Sequence, residues 1–306
     1  MTPRELEALS QGSRGEVARA LNTAELQDPS RQGEILALID ALSPRFDASG
    51  IVIGLTGAPG VGKSTLAGQL IRAWRARGLR VGMLAIDPSS RGGGALLGDR
   101  IRLDHGADSG VFVRSMAARG QHGGLAPGAF AAVLVLRSAF DRVILETVGA
   151  GQGEFEVKGV ADVTLLLLQP DAGDAVQFIK SGIMEEPDLF VLNKADGGVH
   201  ARRAAHALTT AVGGHNGRPV LQCQASEGEG IDEVVAAIKS QITSDAPTRE
   251  ARRRDQARQQ IARAFRERNG ARGVAQLGGP SRLEDALDAF PTSTWSRCLA
   301  ELEQDR

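Results

Sequence analysis

The chain has 306 residues, which is enough for one large α/β domain with appendages or for two small domains. Its 36 basic and 37 acidic side chains give a formal net charge of -1, so the overall charge does not predict nucleic acid or an anionic membrane as a partner. The sequence has only two cysteines, Cys223 and Cys298, with no CxxC pair and no Cys/His cluster, so it suggests neither a disulfide framework nor a structural metal site. This cysteine content fits a reducing compartment. The first residues lack a signal peptide's apolar core, and no apolar run approaches the roughly 20 residues of a membrane span. We therefore expect a cytoplasmic protein.

The amino-terminal segment, residues 1–46, is predicted to be a small set of helices. Apolar side chains recur at helical spacing from Arg4 to Leu42, with an interruption near Asp28-Pro29 and an end at Pro44. Nothing in this segment has the spacing of a catalytic motif, so we expect it to pack against the main domain.

A phosphate-binding loop follows a short apolar strand at residues 51–56. The pattern G-x-x-x-x-G-K-[ST] places glycines where the backbone must curl tightly enough to point several N–H groups at phosphate oxygens. It assigns Lys63 to the β and γ phosphates and the Ser64 hydroxyl to Mg²⁺. A helix predicted from Leu66 to Arg77 adds the positive end of its dipole. The predicted nucleotide-binding residues of this loop are Gly57, Ala58, Pro59, Gly60, Val61, Gly62, Lys63, Ser64 and Thr65.

Short apolar runs alternate with helix-length segments from Gly50 onward. This alternation predicts a doubly wound, mostly parallel α/β sheet, which we assign to a P-loop nucleotide-binding domain spanning residues 47–243. Because ligands of such sheets lie beyond the carboxyl ends of the strands, the residues that end each run are the informative ones. Besides the strand before the phosphate loop, the predicted strands are Val81–Ile86, Val111–Val113, Val143–Leu145, Val163–Leu168, Leu189–Leu192 and Pro219–Gln222.

Two acidic residues follow predicted strands on the side of the phosphate loop. Carboxylates at the positions of Asp87 and Glu146 can hold Mg²⁺, directly or through its waters, and can orient an attacking water. Gly149 would let a backbone N–H meet the γ-phosphate, and Asp99 lies in a glycine-rich, switch-like loop. The predicted metal ligands are Ser64, Asp87 and Glu146, and the predicted catalytic residues are Lys63, Asp87, Asp99, Glu146 and Gly149.

The tetrapeptide Asn193-Lys194-Ala195-Asp196 follows another predicted strand and indicates which base is bound. A carboxylate can accept hydrogen bonds from both the N1–H and the 2-amino group of guanine, whereas adenine has neither donor at those positions. The motif N-K-x-D behind a phosphate loop therefore predicts GTP rather than ATP, with Asp196 on the base edge and Lys194 along the base.

Together these motifs closely resemble those of the MeaB/ArgK family of methylmalonyl-CoA-mutase-associated GTPases, from the helical segment to about Lys239. The similarity is carried by residues 57–65, 87–90, 97–100, 146–154, 171–174, 177–185 and 193–196. It implies that residues 87–100 behave as a first switch, 146 to about 158 as a second, and 171 to about 185 as a third that faces the partner mutase. The switch and partner residues that it implies are Asp99, Gln152, Glu154, Asp174 and Lys180, and the base-facing loop contains Gln224 and Ala225.

Several positions depart from the family pattern. Gly153 stands where the family usually has Ser, the run from Phe155 to Gly159 differs, and Pro127-Gly128 replaces a polar helix start. Gln224 likewise replaces the usual Ser of the base-facing loop. These differences bear on partner choice and switch coupling more than on GTP binding.

The composition changes after Gln241. Nine arginines and three acids lie between Arg249 and Arg272, a pattern that predicts a long polar helix before a break at Gly278-Gly279-Pro280. We assign residues 244–306 to a carboxyl-terminal helical extension. The corresponding helices of the family form a dimerisation arm, so the resemblance implies a homodimer whose apolar face would be formed by Leu283, Leu287, Phe290, Trp295 and Leu299.

The resemblance implies a GTP-hydrolysing chaperone that assists loading, protection or repair of the cofactor in an adenosylcobalamin-dependent acyl-CoA mutase, with GTP/GDP and Mg²⁺ as its own ligands. The sequence has no Asp-x-His-x-x-Gly motif, so the cobalamin would belong to the partner. A nickel-delivery GTPase is a second hypothesis, although five scattered His and two distant Cys do not form the ligand-rich tracts that it needs. A small-molecule kinase is a third, and it would require an acceptor for the phosphate.

Overall fold

The computed structural model describes residues 1–26, 29–45, 50–87, 108–117, 128–147, 157–170, 187–194, 198–213, 220–289 and 295–304. Its strands are β1 Ile51–Thr56, β2 Val81–Asp87, β3 Val111–Ala117, β4 Arg142–Glu146, β5 Val163–Leu168, β6 Leu189–Leu192 and β7 Val220–Gln222. They form one parallel sheet in the order β3-β2-β4-β1-β5-β6-β7. The sheet confirms the predicted doubly wound parallel fold.

Four of the five described inner strands of the sheet are buried along their whole length. Strands β1, β2, β5 and β6 are buried at every position, which is the burial expected of continuous apolar runs covered on both faces. The edge strands β3 and β7 contain partly exposed positions. Strand β3 continues to Ala117, beyond the predicted end at Val113, and Asp87 is the last residue of β2 rather than the first residue after it.

Helices cover both faces of the sheet. They are α1 Pro3–Ser10, α2 Arg14–Ala24, α3 Gln32–Leu42, α4 Lys63–Ala76, α5 Ala129–Ala139, α6 Gly198–Gly213, α7 Ile231–Ser244, α8 Arg249–Gln276, α9 Pro280–Ala289 and α10 Trp295–Gln304. Helices α4 and α7 pack on one face, and α5 and α6 pack on the other. The terminal helices α1 to α3 and α8 to α10 add a further layer over α5. None of the described helices is both long and apolar enough to span a bilayer.

The amino-terminal segment is helical, as predicted. The expected interruption is followed by a short 3-10 turn at Pro29–Arg31, and a second break at Gly12, which was not predicted, separates α1 from α2. Val17, Leu21 and Leu38 are buried in the core that these helices share with α5. Packing against the main domain is therefore confirmed.

The apolar side chains of the carboxyl-terminal helices are buried inside this single chain. Leu283, Leu287 and Leu299 are at most 3% exposed, and the indole of Trp295 stacks on Phe130 with ring centroids 5.0 Å apart. The prediction that these residues form the apolar face of a dimer is therefore wrong, because helices of the same chain already cover them. Helix α9 packs on α8 and α10, and α10 packs on α3 and, through Trp295, on α5. The fifth residue of that predicted face, Phe290, lies outside the described residues.

Helix α10 is also fixed to the amino-terminal layer by a polar contact. Asp40 on α3 accepts hydrogen bonds from the backbone N–H groups of Trp295, at 2.6 Å, and Ser296, at 3.3 Å. A carboxylate at a helix amino terminus satisfies donors that have no partner within the helix. The two ends of the chain thus meet in one layer.

A buried ion pair attaches α8 to the amino ends of two central strands. The guanidinium of Arg253 donates from Nε and Nη2 to the two carboxylate oxygens of Asp162, at 2.7 and 2.8 Å, and both side chains are at most 3% exposed. Asp162 also accepts from the backbone N–H of Val52 at 2.8 Å, and Arg253 donates to the carbonyl of Gly50 at 3.1 Å. The predicted domain boundary at residues 243/244 stays a prediction, but α8 packs directly on the residues that precede the central strands β1 and β5.

The charge of Asp162 depends on this contact. Burial would raise the pKa of Asp162, but the hydrogen bonds and charge of Arg253, with smaller effects of Arg137 and the Val52 N–H, outweigh burial and lower the pKa below its ordinary value. A carboxyl group with a lowered folded-state pKa stabilises the fold above its unfolded-state pKa, and this stabilisation is lost as the pH falls through the lowered value.

We expect Arg253→Met to lower the free energy of unfolding by about 3–5 kcal/mol, because it leaves a buried carboxylate without its partner. The double variant Arg253→Met/Asp162→Asn removes that charge and should recover a large part of the loss. The measurement is urea unfolding at neutral pH. Arg254→Met is the matched control, since Arg254 is half exposed and its ion pair with Glu250 should contribute only about 0.3–0.5 kcal/mol. If Arg253→Met and Arg254→Met lower the free energy of unfolding equally, the stabilising role assigned to the buried ion pair of Arg253 and Asp162 is contradicted.

Candidate functional site

The phosphate loop connects the end of β1 to the start of α4. Gly57, Gly60 and Gly62 have φ values of +136°, +78° and +101°, a region that residues with a Cβ rarely adopt. At Gly62 an added Cβ would also lie 2.2 Å from Nδ2 of Asn193. The loop therefore has the curled backbone that the sequence pattern predicts.

The loop residues divide into those that offer backbone groups and those that offer side chains. The Val61 side chain is fully buried in the core, so only its backbone faces the loop, whereas Pro59 and Thr65 are exposed. Helix α4 begins at Lys63, and the first N–H groups of a helix have no partner within it. These amides and the helix dipole make the loop a site for an anion.

Lys63 lies within the loop that it completes. Its side chain is buried, and Nζ donates to the carbonyls of Gly57 at 2.8 Å and Ala58 at 3.0 Å. An ammonium group held inside a curl of backbone N–H groups is suited to phosphate oxygens, because both present positive charge to the same space.

Three oxygen-bearing side chains that we predicted as Mg²⁺ ligands lie on neighbouring elements. The Ser64 hydroxyl donates to Oε1 of Glu146 at 2.6 Å. Glu146 ends β4, and Asp87 ends the adjacent strand β2, with both carboxylates almost fully buried. Mg²⁺ prefers a few hard oxygen ligands and keeps its remaining positions for water and phosphate, so this donor set fits the ion.

The base-recognition motif begins where β6 ends, and its first residue contacts the phosphate loop directly. Asn193 is buried, and its Nδ2 donates to the carbonyl of Val61 at 2.8 Å. Lys194 has a φ of +58°, and its Nζ donates to the carbonyl of Gly60 at 3.1 Å. The two residues therefore join the predicted base site to the predicted phosphate site.

The predicted base-facing loop is joined to the same residues. The backbone N–H of Ala225 donates to Oδ1 of Asn193 at 3.1 Å, and its carbonyl accepts from Nε2 of Gln69 at 2.8 Å. Gln224 pairs with Glu229 through backbone hydrogen bonds that close the loop. The structure thus brings residues 193–194 and 224–225 together beside the phosphate loop.

Seven predicted site residues lie outside the described part of the chain, and their roles stay predictions. They are Asp99, Gly149, Gln152, Glu154, Asp174, Lys180 and Asp196.

Sequence analysis missed two glutamines that contact this site. Gln69 lies on α4, and Gln169 follows β5 directly, where its Oε1 accepts from Nζ of Lys194 at 2.9 Å. Neither belongs to a motif, and a lone glutamine on a helix or after a strand has no spacing that identifies it as part of a site.

Both cysteines are buried free thiols. Burial raises the pKa of Cys223 to about 11 and that of Cys298 to about 11, so both are protonated at neutral pH. The Cys223 thiol lies 3.5 Å from Oδ1 of Asn193, the first residue of the base-recognition motif. Within the described ranges, no three His, Cys, Asp or Glu side chains are grouped so that they could hold a metal ion.

The chain is similar to several proteins that are named as GTPases. It is 39% identical over 249 residues to a putative GTPase of Pyrococcus horikoshii, covering 76% of this chain and 75% of that protein. It is 36% identical over 259 residues to GTPase ArgK of Escherichia coli, covering 80% and 78% of the two chains. The match to a putative GTPase of Pyrococcus abyssi reaches 46% identity but spans 58% of that protein's length. A mitochondrial methylmalonic aciduria type A homolog of Caenorhabditis elegans is 36% identical over 64% of this chain and 52% of its own length.

Solved structures and a family model agree with these relatives. A crystal structure of an LAO/AO transport system kinase matches with a TM-score of 0.70 and 26% identity, over 98% of this chain and 97% of that one. The hydrogenase maturation factor HypB of Archaeoglobus fulgidus shares the fold, with a TM-score of 0.50 at 17% identity over 68% of this chain and 98% of its own. The family model described as methylmalonyl Co-A mutase-associated GTPase MeaB matches residues 17–276. The chain therefore belongs to the MeaB family of P-loop GTPases.

Proposed function

We propose that this GTPase binds GTP with Mg²⁺ and uses its hydrolysis to assist an adenosylcobalamin-dependent acyl-CoA mutase, methylmalonyl-CoA mutase or a close relative. The observation that carries the proposal is the match over residues 17–276 to a family described by its association with methylmalonyl-CoA mutase. The relative from Caenorhabditis elegans, named after methylmalonic aciduria, supports the same partner. Assistance means loading, protecting or repairing the cofactor of the mutase.

The geometry of the phosphate site supports the hydrolytic chemistry. The loop amides and Lys63 would neutralise the β and γ phosphates, both before transfer and as charge redistributes. Ser64, Asp87 and Glu146 would hold Mg²⁺, which supplies further positive charge to the phosphate oxygens when bound. Glu146 and Asp87 would also orient the attacking water, and we propose Asp99 and the Gly149 N–H as further contributors from the segments outside the described residues.

The base site supports GTP as the nucleotide. Asn193 and Lys194 are joined to the phosphate loop, and Asp196 follows them by two residues along the chain. We propose that Asp196 accepts from the two guanine donors and that Lys194 lies along the base. Gln152, Glu154, Asp174 and Lys180 would then report the nucleotide state to the mutase.

We also propose a homodimer that acts in the cytoplasm. The dimer is supported by the family resemblance alone, and its interface must involve surfaces other than the buried Leu283, Leu287, Trp295 and Leu299. Two buried, reduced thiols support a reducing compartment.

The experiment that tests the partner is capture of the mutase. The full chain, loaded in turn with GDP and with a non-hydrolysable GTP analogue, is mixed with purified methylmalonyl-CoA mutase, and complex formation and phosphate release are measured. We expect a nucleotide-dependent complex and faster GTP hydrolysis. Phosphate release from GTP without any acceptor also separates a GTPase from a kinase, the activity named for one structural relative.

Lys63→Ala should lower kcat/KM for GTP hydrolysis by about 100-fold or more, because one preorganised positive group is removed from the transferring phosphate. Lys239→Ala, at an exposed lysine of α7, is the control and should behave as wild type. A Lys63→Ala enzyme with turnover close to wild type would contradict the phosphate-site assignment.

Asp196→Asn should lower the preference for GTP over ATP by about 10- to 100-fold, since an amide must turn an NH₂ group toward one of the two guanine donors. Competition of each unlabelled nucleotide against a fluorescent GDP is the measurement. Unchanged preference would show that another residue reads the base.

Lys180→Ala should leave basal hydrolysis near wild type while lowering mutase-stimulated hydrolysis by about fivefold or more, because coupling between two sites typically amounts to about 1–3 kcal/mol. Rates are compared with and without saturating mutase. Equal stimulation of wild type and variant would remove Lys180 from the coupling, and loss of basal activity would place it in the nucleotide site.

A further inference from the structure

Gln69 and Gln169 contact the two segments that we propose to bind guanine. We infer that both are positioning residues for base recognition: Gln169 orients Lys194, and Gln69 holds the loop that contains Ala225. The inference rests on the proposed guanine site and adds two residues that no nucleotide-binding motif contains.

Gln169 stabilises a lysine in an unusual conformation. Among the described residues, Lys194 is the one non-glycine residue with a positive φ. Such a backbone conformation costs free energy and persists where several contacts fix it together. Nζ of Lys194 has two acceptors, the Gly60 carbonyl at 3.1 Å and Oε1 of Gln169 at 2.9 Å. Gln169 therefore fixes the end of a side chain that spans from β6 to the phosphate loop.

Gln69 completes a closed series of hydrogen bonds around the base site. The Val61 carbonyl accepts from Asn193, Oδ1 of Asn193 accepts from the Ala225 N–H, and the Ala225 carbonyl accepts from Gln69. Gln69 lies on α4, the helix that begins within the phosphate loop. Both base segments are thus fixed to the same strand-loop-helix unit, and a shift of either segment would misplace the groups that meet guanine.

The two glutamines have opposite roles in hydrogen bonding, and this gives a sharp test. The ammonium group of Lys194 can only donate hydrogen bonds, so Gln169 must accept from it. The carbonyl of Ala225 can only accept, so Gln69 must donate to it. Changing Gln to Glu keeps the shape of the side chain but leaves only acceptors at neutral pH. Gln169→Glu retains its contact with Lys194, and Gln69→Glu loses its contact with Ala225. Arg72, whose Nη1 lies 3.5 Å from Oε1 of Gln69, would still face the new carboxylate.

The experiment measures the dissociation rate of N-methylanthraniloyl-GDP from the full chain, and competition of unlabelled GDP and ADP against it. The variants are Gln69→Glu, Gln169→Glu, Gln69→Leu and Gln169→Leu, with Gln259→Glu, at an exposed glutamine of α8, as the matched control. We expect Gln69→Glu, Gln69→Leu and Gln169→Leu to accelerate GDP dissociation by about 2- to 12-fold, the range of one lost hydrogen bond. Gln169→Glu should stay within the range of the control.

The preference for GDP over ADP shows whether a glutamine variant loses base positioning or is generally destabilised. GDP and ADP share the same phosphate contacts, so a misplaced base segment should weaken the binding of GDP and leave that of ADP nearly unchanged. The ratio of the GDP affinity to the ADP affinity should therefore fall by the same factor as the GDP affinity. Equal behaviour of Gln69→Glu and Gln169→Glu, or parallel weakening of GDP and ADP, would overturn the inference. If the wild-type chain shows no preference for GDP over ADP, both the inference and the proposed guanine site are overturned. If the wild-type chain prefers GDP and the variants release GDP at the wild-type rate, the inference alone is overturned.

Discussion

The curled backbone of the phosphate loop imposes the main constraint on this structure. When a loop turns its N–H groups toward one side, its carbonyl groups accept from other donors, and those that are buried are seldom left unpaired. Two of the donors come from 132 and 134 residues further along the chain, so the loop and the base segment form one unit. The donors are Lys63 to Gly57 and Ala58, Lys194 to Gly60, and Asn193 to Val61.

The parallel sheet explains why much of this site could be predicted from the sequence. A phosphate loop is defined by local spacing, and Glu146 and Asn193 are each marked by their position at the end of an apolar run. In a parallel sheet all such ends lie at one edge, so residues far apart in the chain can be assigned to one site from the order of the apolar runs alone. The 2.6 Å contact between Ser64 and Glu146 is an outcome of that topology.

Contacts that depend on three-dimensional packing could not be predicted in the same way. The apolar spacing of Leu283, Leu287 and Leu299 indicates a buried face but does not say whether the same chain or a second chain covers it. Arg253 is one of nine arginines between residues 249 and 272, and only its position opposite Asp162 distinguishes it from its neighbours. Gln69 was missed for the same reason, since its partner is a backbone carbonyl 156 residues away.

The predicted second switch, residues 146–158, is fixed at both ends. Ser64 holds its first residue, Glu146, from the phosphate loop. At its end, the buried Gln256 of α8 donates from Nε2 to the carbonyls of Lys158 and Ala161, both at 2.8 Å, and the ion pair of Asp162 follows immediately. One end is therefore held at the nucleotide site, and α8 contacts both the other end and the residues that precede strands β1 and β5.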